Sequence, residues 1–278
     1  MTDAPEHGRG HAFVTALRPA VRQAAAIARA LEGRVVNRPK ANEASAVKAA
    51  LTIADTASQE ALLVRLAERF PTVALDAEED TPTVARFPAA GGGLVVIDPI
   101  DGTLRSYLGG EGPYAILIGL AVGGRFEAAL VALPREGLFF DAVRGGGARV
   151  AREGVAPRAA RPAPGSRRVL VSHGMPAAVI DALRDAGYEA AGASGGAVAV
   201  APLLPGVCAG LRVATAAAGV SRRGRVGLLV AREAGLLVRG ADDAPFPEDI
   251  DAPAPVLRVA ANEADLAALG AAIRHICV

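Results

Sequence analysis

The chain carries four short apolar segments between residues 94 and 143, which predict neighbouring strands. The last three, AILIGLAV, FEAALVAL and GLFFDAV, are separated by Gly-Gly and by Pro-Arg-Glu-Gly, and both separators are typical of hairpin turns. We therefore predict three consecutive antiparallel strands, joined as a meander. The first segment lies in GGGLVVIDPIDGT and predicts a buried strand that runs directly into acidic residues.

Helical patterns precede and follow these strands. Apolar residues recur at helical spacing from Phe13 to Leu31, and a second helix is predicted from about Asp55 until Pro71 ends it. Farther along the chain, strands and helices alternate. The predicted strands are RVLVS, LLVRG and VLRVAA, and the predicted helices are AAVIDALRDAG, VGLLVAREAG and EADLAALGAAIRHI. Residues 152–168 are basic and rich in proline and alanine, and we interpret them as a solvated connector.

This order of elements predicts a layered α+β or α/β fold, in which helices pack on sheets in both halves. We expect a disordered N-terminus at residues 1–10 and an α+β half with the meander and a metal site at residues 11–160. An α/β half is expected at residues 161–278. A chain of 278 residues that is 51% hydrophobic is long enough to bury cores of this size.

Composition excludes several classes of protein. Thirty basic residues against 29 acidic ones give a net charge of +1, which argues against a protein that binds nucleic acid by bulk charge. The N-terminus lacks the apolar stretch of a signal peptide, and no run approaches the ~20 apolar residues that span a bilayer. Cys208 and Cys277 form neither a disulfide framework nor a zinc-type pair. We expect a cytoplasmic protein without a membrane or nucleic-acid partner.

Acidic residues gather at the ends of two predicted strands. Asp98 and Asp101 straddle a proline, which breaks the strand and lets this i, i+3 pair converge. Gly102 and Thr103 follow directly, and hard oxygen ligands at such a strand end suit magnesium. The other acidic end is LDAEED, at residues 75–80. Taken singly, the first motif reads as a turn and the second as a solvated loop, but together they favour a shared metal site.

The DPIDGT motif, with a Glu-Glu pair about twenty residues upstream, resembles the inositol monophosphatase superfamily. That group includes inositol monophosphatases, bisphosphate nucleotidases, histidinol-phosphate phosphatases and related fructose bisphosphatases. The segment TIAD at residues 52–55 resembles the family's Thr-x-Ala-Asp helix start, and residues 77–79 resemble its Gly-Glu-Glu. The meander matches too, so the resemblance covers roughly residues 10–150. It implies an αβαβα sandwich, a homodimer and magnesium-dependent hydrolysis of a small phosphorylated substrate.

The resemblance also implies which residues hold metal. Glu78, Asp98 and the backbone carbonyl of Ile100 match the ligands of the family's first magnesium ion. Asp98 and Asp101 match ligands of a second ion, which stabilises the leaving oxygen in a two-metal mechanism. Asp55 matches an outer acid that binds or steadies a weaker third ion.

Catalytic and substrate-binding roles follow from the same resemblance. It implies that Glu78 and Thr103 orient the attacking water and take its proton, beside the metal-bound Asp98. Gly102 and Thr103 would contact the phosphate group. Arg105 stands in LRS, where the family often has an Asn-Phe pair. Its positive charge suits a strongly anionic substrate, or it is merely a surface residue.

The chain departs from the family pattern at the expected third carboxylate. Counting back from Glu233 places Arg222 and Arg223 where the family has Trp-Asp, and no Asp or Glu lies between Glu189 and Glu233. An arginine at this position would repel a second magnesium ion. Its guanidinium could replace that ion and bind phosphate oxygens. Otherwise Arg222, Arg223 and Arg225 form a solvated basic helix start.

These observations favour a magnesium-dependent phosphomonoesterase that acts on a small metabolite. The candidate substrates are an inositol phosphate, a sugar phosphate and a 3′-phosphonucleotide, with Arg223 and Arg105 as further substrate-binding residues. The alternative hypothesis is a phosphatase-fold protein with altered or lost catalysis, which binds or converts a phosphorylated ligand. Arg223 favours this alternative, whereas the retained acids oppose it.

Overall fold

A computed structural model describes residues 6–41, 43, 45–162, 165–214 and 219–274. Its α-helices are α1 (Glu6–Leu31), α2 (Ala46–Ala49), α3 (Ile53–Arg69), α4 (Ala177–Asp185), α5 (Gly195–Ala199), α6 (Arg222–Glu233) and α7 (Glu263–Ile273). Shorter helical turns span Pro82–Arg86, Thr103–Leu108 and Ala201–Leu203. The helices predicted at both ends of the chain are therefore confirmed. Cys277 and residues 1–5 of the predicted disordered N-terminus lie outside the described residues. Residues 6–10 belong to α1, so the prediction of disorder is wrong for them.

The first sheet has seven strands in chain order. They are β1 (Ala74–Ala77), β2 (Leu94–Asp101), β3 (Ala115–Val122), β4 (Arg125–Leu133), β5 (Leu138–Val143), β6 (Gly147–Arg152) and β7 (Val155–Ala159). β1 runs parallel to β2, and every later pair is antiparallel. The pairing of β3, β4 and β5 confirms the predicted meander.

The second sheet has five strands in the order β11-β12-β10-β8-β9. Their bounds are β8 (Arg168–Ser172), β9 (Glu189–Ala193), β10 (Ala209–Val213), β11 (Leu237–Arg239) and β12 (Val256–Ala260). β8 pairs in parallel with both β9 and β10, whereas β12 is antiparallel to its two neighbours. The chain therefore leaves β8 toward one side for β9 and returns to the other side for β10.

Three apolar clusters arrange the elements in layers. The first packs α1 and α3 on one face of the seven-stranded sheet, and includes Phe13, Leu62 and Ile116. The second places α5 and α6 between the two sheets, and the third packs α4 and α7 on the outer face of the five-stranded sheet. The order is helix, sheet, helix, sheet, helix, which confirms the predicted αβαβα sandwich.

The prediction of a solvated connector at residues 152–168 is wrong for part of its length. Val155–Ala159 forms β7, an edge strand in which Val155 lies opposite Arg152 and Ala159 opposite Arg149. Every residue of β7 is exposed, so no apolar alternation marks it in the sequence. Backbone pairing with β6 makes it a strand, and Gly154, with φ of +68°, permits the tight turn between the two.

No helix within the described ranges combines the length and apolarity that a membrane crossing requires. Cys208 is buried and free.

Candidate metal and phosphate site

The acidic segments meet at one edge of the seven-stranded sheet. β1 and β2 are parallel, with Ala77 opposite Ile97, so their carboxyl ends reach the same edge. Glu78 follows β1 directly and lies beside Asp98 of β2. The register between β2 and β3 shifts between Asp98 and Asp101, where the proline was predicted to break the ladder. Asp101 therefore does not follow the regular alternation of side chains that holds up to Asp98.

Asp98 and Glu78 form a close carboxyl pair. Asp98 is only 6% exposed, and its Oδ1 atom is buried without a hydrogen-bond partner among the described residues. Its carboxyl group lies close to that of Glu78, which acts on its pKa. Burial, and then the charges of Glu78 and Asp101, raise the pKa of Asp98 well above its usual range, while Arg223 opposes the rise. Two carboxyl groups in contact need a shared proton or a cation between them.

Asp55 ties the start of α3 to the DPIDGT loop. Its Oδ2 atom accepts hydrogen bonds from the backbone N–H and the hydroxyl of Thr52, at 2.7 and 2.6 Å, in a capping box. Thr103 Oγ1 lies 2.9 Å from Asp55 Oδ1 and 2.8 Å from the carbonyl oxygen of Ile100. Burial raises the pKa of Asp55. Asp55 thus orients the Thr103 hydroxyl, and both of its oxygens already have donors.

Asp101 is held by the start of α5. The backbone N–H of Gly196 donates to Asp101 Oδ2 at 2.5 Å. Gly102 follows with φ of +93°, in the left-handed region. A β-carbon at Gly102 would lie 2.8 Å from the β-carbon of Ser194, so the close approach of the loop to α5 requires glycine here. The structure therefore brings Asp101 and Gly102 to the site, with one oxygen of Asp101 occupied by α5.

Two residues that the sequence analysis did not single out fix the neighbouring Glu79. Gln59 donates to the carbonyl of Glu79 at 2.6 Å and accepts from its N–H at 3.0 Å, and Lys40 Nζ lies 3.0 Å from the Glu79 carboxylate. Burial raises the pKa of Glu79. Because Gln59 lies one helical turn after Asp55 on α3, its place on the same face was a usable signal. These contacts hold the backbone beside Glu78 in position.

Arg223 lies across the ends of β1 and β2. Its Nε atom donates to the carbonyl of Ile97 at 3.2 Å, and Nη2 donates to Asp76 Oδ1 at 3.0 Å and to the carbonyl of Ala77 at 2.9 Å. Arg222 shares Asp76, through a 3.4 Å contact to Oδ2. The guanidinium is thus fixed beside the acids by three acceptors, and its charge acts on Asp98.

A wholly solvated basic helix start is therefore the wrong interpretation of the three arginines. Arg222 and Arg223 are paired with Asp76. Arg225 is 3% exposed and donates to the carbonyls of Val220, Asp249 and Ala252. Ser221 caps α6 through the N–H of Gly224, so the helix start is an ordered part of the site edge.

Arg105 is paired with Glu111 at the surface. Its side chain is 53% exposed and contacts Glu111 at 3.3 Å. In this position it is a surface ion pair, which contributes little to stability. Of the two interpretations that the sequence allowed, the surface residue is therefore better supported than a contact with an anionic substrate.

The donor set fits one divalent cation better than two. Glu78 and Asp98 supply adjacent carboxylates with one orphaned oxygen, and the carbonyl of Ile100 lies near the end of the same strand as Asp98. Among the described residues, no group of three or more histidine, cysteine, aspartate or glutamate side chains is arranged to hold a metal ion. Asp101 bonds to α5, and Arg223 puts a positive charge where the resemblance implied a third carboxylate.

Comparison with known proteins supplies a family for this arrangement. A family model described as "Inositol monophosphatase family" matches residues 13–200, which is more than half of the chain. A histidinol-phosphatase of Chlorobaculum parvum is 34% identical over 98 residues, which are 35% of this chain and 36% of that protein. The match thus spans about a third of that relative's length.

Solved structures resemble the whole chain. The Thermotoga maritima IMPase has a TM-score of 0.71 at 18% identity, over 93% of this chain and 96% of that one. The extragenic suppressor protein suhB of Bartonella henselae also has a TM-score of 0.71, at 17% identity over 95% and 99%. An IMPase/NADP phosphatase, solved in complex with NADP and Ca²⁺, has a TM-score of 0.66 at 20% identity over 97% and 98%. At these identities the likeness establishes the fold.

Proposed function

The chain belongs to the inositol monophosphatase family, and we propose that it is a phosphatase, specifically a magnesium-dependent phosphomonoesterase that acts on a small phosphorylated metabolite. The name of the C. parvum relative, histidinol-phosphatase, supports phosphomonoester hydrolysis. A structural neighbour, an IMPase/NADP phosphatase, was solved in complex with NADP and Ca²⁺, which supports a cation in this fold.

The observation that carries the proposal is the orphaned oxygen of Asp98. A buried carboxylate without a donor and in contact with a second carboxylate is unfavourable in an otherwise well-packed strand end. A divalent cation relieves both problems because it satisfies the oxygen and cancels the repulsion. In this proposal Glu78, Asp98 and the carbonyl of Ile100 hold one magnesium ion, which suits hard oxygen ligands.

A magnesium ion bound there would supply a nucleophilic water at neutral pH and polarise a phosphoryl oxygen. Glu78 is half-buried, unlike the buried Asp98, and takes the proton of the attacking water. The Thr103 hydroxyl, when it donates to Asp55, keeps lone pairs that can accept from that water. The backbone of Gly102, which has no side chain, lets a phosphate oxygen approach the loop.

Arg223 takes over the charge that a second ion would supply. Its Nε and Nη2 groups are anchored on Ile97, Asp76 and Ala77, which fixes the plane of the guanidinium before substrate binds. A guanidinium held in place stabilises charge on the transferring phosphoryl group and on the leaving oxygen without any reorganisation.

A second candidate function rests on the same residue. If the bond between Arg223 and Asp76 serves only to block the position that a second magnesium ion would take, the protein binds a phosphorylated ligand without hydrolysing it. The paired acids argue against this candidate, because carboxylates that serve no cation reduce stability.

The proposal is tested by release of inorganic phosphate from a panel of phosphomonoesters, with and without magnesium. The panel spans inositol, sugar, histidinol and 3′-nucleotide phosphates. We expect release from at least one member that depends on magnesium and stops on chelation. No phosphate release with or without magnesium, together with ligand binding in a thermal-shift assay, would support a binding protein instead.

A further inference from the structure

A second polar cluster lies at the carboxyl ends of β8 and β10. The parallel register places Leu211 opposite Val171, so Ser172 and Arg212 are the next residues along the two strands. Strand alternation puts both side chains on the face that carries α5 and α6, since Leu170 of β8 packs in the cluster between the sheets. The two strands thus present a serine and an arginine side by side.

Both side chains hold a polar atom without a partner. Ser172 is 9% exposed, and its Oγ atom is buried with no hydrogen-bond partner among the described residues. The Nη1 atom of Arg212 is also buried and has no hydrogen-bond partner within the described part of the chain. The rest of the Arg212 side chain leaves the residue partly exposed. Native proteins rarely leave buried donors unpaired. An orphaned guanidinium donor beside an orphaned hydroxyl calls for an acceptor, and an anionic oxygen is the strongest acceptor.

The surroundings make room for this arginine. At Gly195, the first residue of α5, and at Gly224, in the first turn of α6, a β-carbon would collide with Nη1 of Arg212. A larger residue at either position would displace the guanidinium from its place between the two helix starts. Neither glycine has a positive φ, so the contribution of both glycines is room for the side chain and not a special backbone conformation.

This cluster adjoins the metal and phosphate site. Gly195 precedes Gly196, whose N–H binds Asp101, and Gly224 follows Arg223, which spans the ends of β1 and β2. The strand order reverses between β8 and β10, and ligands of open α/β sheets bind at such a reversal, outside the carboxyl ends of the strands. The two places therefore share the starts of α5 and α6.

We propose that Arg212 and Ser172 bind a second anionic group of the substrate, a carboxylate or a second phosphate. The proposal rests on the proposed function, and it narrows the substrate class to phosphomonoesters that carry a further negative charge. Arg212 donates through Nη1, and Ser172 donates through its hydroxyl, while the phosphate to be cleaved lies at Glu78 and Asp98.

Two matched pairs of compounds test the inference. 2-Phosphoglycerate and glycerol 2-phosphate share a carbon skeleton and differ by a carboxylate in place of a hydroxymethyl group. Fructose 1,6-bisphosphate and fructose 1-phosphate differ by a second phosphate, which lies farther from the first phosphate than the carboxylate of 2-phosphoglycerate does. We expect kcat/KM to favour the more anionic member of at least one pair by about tenfold or more, since charge-assisted hydrogen bonds discriminate strongly. In Arg212→Met this preference should vanish, mainly through a higher KM for the more anionic member.

Binding separates this inference from the proposed function. Thermal shift or calorimetry with the same four compounds in magnesium reports the preference even if no phosphate is released. Arg184→Met, an exposed arginine of α4 with 68% exposure, is the control and should keep the wild-type preference. Ser172→Ala should reduce the preference, and Arg212→Lys should keep part of it.

Arg212→Met is not expected to lower the melting temperature, because the buried Nη1 atom of Arg212 makes no hydrogen bond within the described residues and so does not stabilise the fold. No preference in either pair, by rate or by binding, would overturn the inference. So would a preference that survives in Arg212→Met. A preference in binding without turnover would uphold the anion site and refute the phosphatase.

Discussion

Asp98→Asn is expected to lower magnesium-dependent phosphate release by about a thousandfold. The substitution removes a charged ligand from the pair with Glu78 and leaves the shape of the side chain unchanged. Metal polarisation contributes several kcal/mol to such reactions, and each 1.36 kcal/mol is a factor of ten in rate. The measurement is the initial rate of release across a range of magnesium concentrations.

Without metal, the same variant is expected to be at least as stable as the wild type at neutral pH. Because the pKa of Asp98 is raised in the folded protein, its protonated form stabilises the fold fully below the ordinary pKa of 3.8. This stabilisation is lost as the pH rises through the raised pKa. Near pH 7.5, metal-free Asp98→Asn should therefore melt at or above the wild-type temperature. Magnesium should stabilise the wild type and not the variant.

Asp80→Asn is the matched control, because Asp80 is exposed in the same acidic segment. It should retain both turnover and stabilisation by magnesium. Equal stabilisation of Asp98→Asn and wild type by magnesium would remove Asp98 from the metal site.

Arg223→Ala is expected to lower turnover of an alkyl phosphate by about a thousandfold, the low end of what a catalytic arginine contributes to phosphoryl transfer. If Arg223 stabilises the leaving oxygen, the loss should be much smaller for p-nitrophenyl phosphate, whose leaving group needs little help. Steady-state kinetics on these two substrates measures the difference.

Arg222→Ala separates catalysis from support of the sheet edge. Arg222 also contacts Asp76, but its other partner is the exposed Asp251. We expect turnover within a few-fold of the wild type. An equal loss on both phosphates in Arg223→Ala would assign Arg223 a purely structural role, since a displaced strand end slows both substrates alike.

The sheet edge that carries the acids could be predicted from sequence. Apolar segments with tight-turn separators specify antiparallel neighbours, and the acids directly after Ile97 and Ala77 could only lie at strand ends. β7 could not be predicted, because its exposed residues carry no periodic signal and its strand conformation comes from pairing with β6.

The surroundings of the acids were less predictable. The charge reversal at Arg223 was visible in the sequence, but its bonds to Asp76 join residues 147 positions apart, and no local pattern records them. Ser172 and Arg212 meet only because β8 and β10 are parallel neighbours. The glycines that make room for Arg212 look like ordinary small residues of helix starts until the helices are placed.

The number of magnesium ions bound per chain tests the central claim most directly, which is that one ion and Arg223 together replace a two-ion site. Isothermal titration calorimetry of metal-free protein in saturating inorganic phosphate gives this number. We predict one ion per chain in the wild type and none in Asp98→Asn. Two ions per wild-type chain would contradict the account, because Arg223 would then not stand in for the second ion.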